Sequence, residues 1–436
     1  MKSLRVLFAV AALAFSGPAF ASREQPIEPI PIPPSIDQGV DMMYIDPEIS
    51  PSARQDEEML HQLSFQEWTG APLDMVMPVN RMYTDLRRGL VRYQMRWGSL
   101  PQLQIPAGPS LKAGSSGERV AMLRQRLGLA LGEAFDPQLA SVIKEYQAVH
   151  GLTADGIAGG STIDSLNLGA GHYEHLIIVN LERARRLPPA DRFRRYILID
   201  AGAARLFMYD NGRVVDSMKI GVGTAATPTP MMAAQLRYVS LNPYWNVPPE
   251  LAQTLIAPHV LKEGLSYLTY RHYEVLSDWS DDATPIELAS VDWQAVADGK
   301  KVIRLRRGPS PGNSMGDMKF MLPNDFGIYL HDYPDKSLFA KDDRWISNGC
   351  VRLEDAHRLA RWLLGEDPQP RTGQPEEEVD LPQPVPVFMT YFTVAPTGDS
   401  VVFRPDPYKR DPGVLARFFG GQDLAANSTN AGDSAN

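Results

Sequence analysis

The hydrophobic period changes near residue 190, and that change limits what the chain is able to build. Upstream, apolar residues recur every three or four positions; downstream they fall into short runs separated by turn residues. After Pro78, with Asn80 as candidate cap, Met82, Leu86, Leu90, Tyr93 and Trp97 mark one apolar face, so residues 50–100 read as helical scaffold. Residues 109–168 give three short amphipathic helices. The first carries Val120, Leu123 and Leu127; the second opens at Asp136-Pro137 and carries Leu139, Val142, Ile143 and Tyr146. The third follows Gly159-Gly160 with Ser161 as cap and carries Ile163 and Leu166, and another helix is expected over 174–187.

Beyond this point strands are expected at 196–200, 205–209 and 214–222, with a turn at Asp210-Asn211-Gly212 between the last two. Further strands are expected at 234–241, 301–306, 326–331 and 386–394. Helical spacing and many aromatics interrupt the strand rhythm at about 247–300, an insertion suited to covering a site. The expected class is multidomain α+β: a helical scaffold, a small three-helix module and a β-rich domain spanning 190–410 with a helical capping insertion. Residues 411–436 read as a disordered tail.

The chain opens MKSLRVLFAVAALAFSGPAFA, with Lys2 and Arg5 before an apolar run from Val6 to Phe15 and Ala19-Phe20-Ala21 at its end. These are the parts of a secretory signal peptide over 1–21, and the run is too short to span a bilayer. An exported chain with no membrane span after cleavage is therefore expected, an uncleaved membrane anchor being the alternative. PIEPIPIPP at 26–34 reads as an extended linker within a 22–105 linker and scaffold region. The net charge of −9 becomes more negative once Lys2 and Arg5 are removed, which argues against nucleic acid or an anionic membrane as partner.

Cys350 is the single cysteine in 436 residues, so no internal disulfide exists, and an odd cysteine in an exported chain means an intermolecular bridge or a reactive thiol, a buried inert cysteine being the alternative. A cysteine nucleophile needs a nearby base, because only a few per cent is thiolate at neutral pH. Of the eight histidines, His331 closes an apolar strand and opens a loop that returns with Cys350 19 positions later. Gly349 lets backbone approach a substrate closely. After Cys350, a helix is expected with Ala356, Leu359, Ala360 and Leu363 on one face and Glu354 or Asp355 at its start.

His331, Ser347, Gly349, Cys350, Val351 and Arg352 together resemble the active-site signature of the L,D-transpeptidases with a YkuD-type catalytic domain. His331, Asp332, Pro334, Leu338 and Phe339 resemble the loop of that family's large periplasmic subgroup. Ser310-Pro311-Gly312, Asn313, Gly316, Lys319 and Phe320 resemble its upstream motif, with the proline-glycine pair shifted by one or two residues. Residues 106–168 resemble a peptidoglycan-binding module through Leu111, Gly114, Gly117, Val120, Leu123, Leu127, Phe135-Asp136, Gly151-Leu152, Asp155-Gly156, Gly159 and Thr162.

The resemblance implies acyl transfer on peptidoglycan stem tetrapeptides. Cys350 is the nucleophile and His331 the acid and base. Gly349 and Cys350 are the implied oxyanion amides, and Ser347 shapes the loop. Arg352, Asn313, Lys319 and Tyr329 are substrate-binding candidates. Arg352 either holds a substrate carboxylate or pairs with Glu354 or an aspartate of 342–343. Asn348 stands where many relatives carry histidine and is not expected to be the base. No cofactor or metal is implied, and His-Glu-x-x-His is absent. The implied product is a 3→3 cross-link, with carboxypeptidase action or lipoprotein attachment as alternatives within the family. A non-catalytic wall-binding protein is the alternative outside it.

Overall fold

The computed structural model describes residues 42–45, 80–189, 192–280, 282–324, 327–398 and 400–419. The expected signal peptide, the linker and most of the scaffold lie outside these residues. Helix α1 (Arg81–Tyr93) starts where its cap was expected: the Asn80 side chain accepts from the Tyr83 N–H, and its amide donates to Ala184 O. The helix runs on as a π-turn over Gln94–Gly98, and Leu86, Tyr93 and Trp97 are buried.

The three-helix module comprises α2 (Glu118–Arg126), α3 (Pro137–Val149, capped by Asp136) and the first part of α4 (Gly160–Arg185). Two expectations are corrected here. Gly159, and not Ser161, is the N-cap residue of α4. The helix expected at 174–187 also continues α4 across a kink at Gly169, where φ is +84°, a value that suits glycine. The module shares one apolar core with the β-rich part. At their junction the Tyr93 hydroxyl lies 3.0 Å from His150 Nε2, and His150 Nδ1 donates to Tyr146 O at 2.7 Å. Phe403 stacks on the same imidazole. Burial lowers the His150 pKa to about 3, so this ring is a neutral packing element.

The strands are β1 (Met42–Tyr44), β2 (Arg195–Asp200), β3 (Arg205–Asp210), β4 (Arg213–Gly223) and β5 (Met232–Leu241). An insertion follows, holding β6 (Trp245–Val247), β7 (Tyr273–Leu276), β8 (Pro285–Ile286) and β9 (Arg304–Arg307). The chain then gives β10 (Met318–Met321), β11 (Tyr329–Asp332), β12 (Trp345–Ser347), β13 (Val351–Leu353) and β14 (Glu377–Thr390), and ends its strands with β15 (Val394–Thr397) and β16 (Ser400–Phe403). The main sheet runs β1-β5-β10-β11-β13-β4-β3-β2-β14, and β14 pairs back onto β5, closing a barrel. Strand β14 tolerates Pro382 and Pro384 because its register with β5 breaks between Asp380 and Val385, where no ladder N–H is needed.

The insertion is less helical than expected. It has its own four-stranded sheet, β6-β9-β7-β8, and its own core around Ile256, Leu268, Trp293 and Leu305. Residues 301–306, expected as a strand of the main domain, belong to this sheet because β9 pairs with β6 and β7. The expected disordered tail is corrected for its first part: Asp411–Phe419 is a helix. Val414 and Leu415 pack on Val179, and buried Asp411 pairs with buried Arg183 at 2.8 Å. The remainder of that tail lies outside the described residues. No helix among the described residues is long and apolar enough to cross a membrane.

Asp411→Ala leaves the Arg183 guanidinium buried without its carboxylate, at an expected cost of about 3–5 kcal/mol. Urea denaturation reads this as a lower midpoint. Arg183→Met combined with Asp411→Leu is expected to recover most of the loss.

Candidate active site

Parallel strands β11 and β13 build the site. Leu330 pairs with Val351 and His331 with Arg352. Leu330 and Val351 are fully buried in the core. Because strand side chains alternate, Tyr329, His331, Cys350 and Arg352 share the other face. His331 and Cys350 are thus diagonal neighbours despite their separation in sequence. Phe326, expected to begin the strand, lies outside the described residues, and β11 begins at Tyr329.

His331 is 2% exposed, and its Nδ1 donates to the backbone carbonyl of Asp332 at 2.6 Å. That bond fixes the tautomer with Nε2 as the basic nitrogen. Burial lowers the His331 pKa to about 4; the Asp332 carbonyl opposes the shift, and the nearby positive charges of Arg352 and Lys319 add to it. The Asp332 carboxylate is engaged elsewhere, with Lys336 Nζ at 2.7 Å and the Asp317 N–H at 3.3 Å. Burial also raises the Cys350 thiol, while hydrogen bonds from Tyr329 and the charges of Arg352 and Lys319 pull it down. The half-buried Sγ lies 3.7 Å from Gly327 O. The resting pair is therefore a neutral thiol beside a neutral imidazole.

The loop before Cys350 is tightly tied. The Ser347 hydroxyl donates to Cys350 O at 2.6 Å and accepts from the Gly349 N–H at 3.2 Å. This corrects one expectation: the Gly349 amide is engaged by Ser347 and is not open to an oxyanion. The Cys350 N–H donates to no acceptor among the described residues. Gly349 has φ +107°, and a Cβ there would stand 2.8 Å from Ile328 Cδ1. Thr229 Oγ1 donates to Gly349 O at 2.7 Å, a partner that sequence reasoning missed. The helix after Cys350, Ala356–Leu364, buries Ala356, Leu359, Ala360 and Leu363, and Asp355 is its cap.

The substrate-binding candidates separate. Asn313 is fully buried, donating to Pro243 O and Gly308 O and accepting from the Met315 N–H. This corrects its expected role: its polar atoms are taken up in joining the two chain segments that enter and leave the insertion. Lys319, 6% exposed, pairs with Glu376 at 2.8 Å. Arg352 stacks over the Tyr333 ring at 4.4 Å and makes no ion pair among the described residues, so of its two expected alternatives the pairing with Glu354 or residues 342–343 is not seen. Its guanidinium edge remains suited to a carboxylate. Tyr329 flanks both Cys350 and His331, and burial raises its phenol above the usual range. Asn348 is exposed. Tyr333 and Glu376 carried no spacing signal, since each meets its partner only through tertiary contacts.

If unprotonated His331 is the base, kcat/KM is expected to hold as pH falls through 6.5 and to drop only near 4. A steady-state profile with an acid limb near 6.5 would contradict the buried neutral imidazole. Asn313→Ala is expected to speed proteolytic cleavage within the insertion while the iodoacetamide alkylation rate of Cys350 stays unchanged.

Residues 194–402 match the family described as the L,D-transpeptidase catalytic domain, YkuD, and residues 116–166 match the "Putative peptidoglycan binding domain". A Haemophilus influenzae protein described as "Putative L,D-transpeptidase" is 30% identical over 242 residues, covering 54% of this chain and 48% of that one. The chain thus spans about half the length of this curated relative. Among solved structures, an L,D-transpeptidase from Mycobacterium smegmatis aligns at 12% identity and a TM-score of 0.23, over 45% of this chain and 58% of the other. L,D-transpeptidase 3 from Mycobacterium tuberculosis aligns at 11% and 0.22, over 45% and 60%.

Proposed function

We propose, from the premise that residues 194–402 form a YkuD-type L,D-transpeptidase domain and residues 116–166 a peptidoglycan-binding domain, that this chain is a cysteine acyltransferase of the bacterial cell wall. The observation that carries the reading is the β11–β13 register, which sets His331 diagonally beside Cys350 with Nδ1 of the histidine held by a carbonyl. A neutral imidazole next to a neutral thiol suits general-base activation, in which the thiolate forms only as the new bond does.

In the proposed reaction Cys350 Sγ attacks the carbonyl of the third stem residue of a tetrapeptide while its proton passes to His331 Nε2. The C–S bond forms and the carbonyl pair moves to oxygen. When that pair returns, the C–N bond breaks and D-alanine leaves with the proton from His331. The thioester then meets the amine of a second stem. His331 takes that amine's proton, a new C–N bond forms, the C–S bond breaks, and the thiol regains its proton. The product is a 3→3 cross-link. In this reading Arg352 receives a stem carboxylate, which its stacking on Tyr333 supports by leaving the guanidinium edge without an ion pair among the described residues. The peptidoglycan-binding domain supports a wall substrate and a periplasmic setting, as does the N-terminal export sequence.

Incubating the protein with tetrapeptide muropeptides and analysing it by mass spectrometry is expected to give a thioester on Cys350 and dimers linked 3→3. Cys350→Ala should abolish both, and His331→Ala should slow acylation by at least about 100-fold. Trimmed monomers without dimers would assign carboxypeptidase action. Binding to sacculi with neither adduct nor dimer would overturn the catalytic reading.

A further inference from the structure

We propose that Thr229 and Tyr408 are positioning residues for acyl transfer, together turning the Gly349–Cys350 peptide so that its N–H faces the reacting acyl oxygen. The proposal rests on the acyltransferase reading above.

Thr229 lies in the loop between β4 and β5 and is 1% exposed. Its hydroxyl accepts from the Gly223 N–H at 3.0 Å and donates to Gly349 O at 2.7 Å. A hydroxyl has one proton, so with an N–H pointing at its oxygen the proton is committed to Gly349 O. In a planar trans peptide the C=O and N–H point in opposite directions. Pulling Gly349 O into the protein therefore turns the Cys350 N–H outward, on the residue that carries the nucleophile. The neighbouring Gly349 N–H is held by Ser347, so the Cys350 amide is the donor left for an oxyanion. Thr224 and Thr227 anchor the same loop by donating to Ser347 O at 3.0 and 3.2 Å.

Tyr408 supports Thr229 from a segment beyond residue 402, where the match to the catalytic family ends. The Thr229 N–H donates to Tyr408 Oη at 3.3 Å. The Tyr408 N–H donates to Tyr391 Oη at 3.0 Å, the two rings stack at 4.8 Å, and the Tyr391 hydroxyl donates to Asp406. The residues after β16 thus complete the scaffold of the nucleophile loop. During attack the negative charge collects on the acyl oxygen, and one preorganised N–H there is worth about 10²–10³ in rate.

Two reagents separate this role from general support. A p-nitrophenyl ester acylates Cys350 through an oxyanion; iodoacetamide alkylates the same thiol by displacement and forms none. Thr229→Val in the full chain is expected to slow ester acylation and tetrapeptide kcat about 10–100-fold. KM and alkylation should stay within about twofold, and Thr229→Ser should restore the rates. Tyr408→Phe should act in the same direction and more weakly. Wild-type ester acylation in Thr229→Val would overturn the proposal, as would equal losses in acylation and alkylation, which mark simple disruption of the loop. If wild type reacts with the ester but not with tetrapeptide, the wall-substrate reading fails while the Thr229 comparison still decides this one.

Discussion

The site depends on one backbone pairing, the parallel register of β11 and β13 that sets Leu330 against Val351. Side chains alternate along a strand, so a slip of one residue would bury Cys350 and turn Val351 out of the core. The burial of Leu330 and Val351 holds the register, and the face that carries His331 and Cys350 follows from it. Strands β10 and β4 flank the pair, and closure of the sheet through β14 and β5 fixes those in turn. Apolar packing on one face therefore places chemistry on the other.

Burial then decides the charge state. His331 is neutral because burial disfavours its charged form and the nearby charges of Arg352 and Lys319 add to the shift, and the thiol is neutral because burial outweighs the help from Tyr329. Lys319 tolerates burial through Glu376, a residue at positive φ outside any sequence motif. A thiol that stays protonated at rest also oxidises more slowly than a thiolate.

Much of this was legible in the sequence, for local reasons. The caps at Asn80, Asp136 and Asp355 act within three residues, and the apolar face of 356–364 is a matter of helical spacing. His331, Ser347, Gly349 and Cys350 fall in one continuous stretch, so their grouping survives without a structure. Some departures are local, as at the Gly159 cap and the Gly349 amide, and others come from long-range contacts. Asn313 sits in a motif beside the site, yet its amide joins the two ends of the insertion. Residues 301–306 alternate as a strand should, but alternation does not say which sheet a strand joins. Residues 411–419 are held as a helix by Arg183 and Val179, partners more than 200 positions away in the chain.

The sequence by itself determined the change from helical to strand period, the small module, and the grouping of His331 with Ser347, Gly349 and Cys350, because each is written in spacing or in contiguous residues. The tertiary structure alone decided that the dyad is neutral and that the module shares the barrel's core. It also decided which amide remains open beside the nucleophile. Burial, shared packing and the direction of a peptide plane depend on atoms that residues distant in the chain bring together.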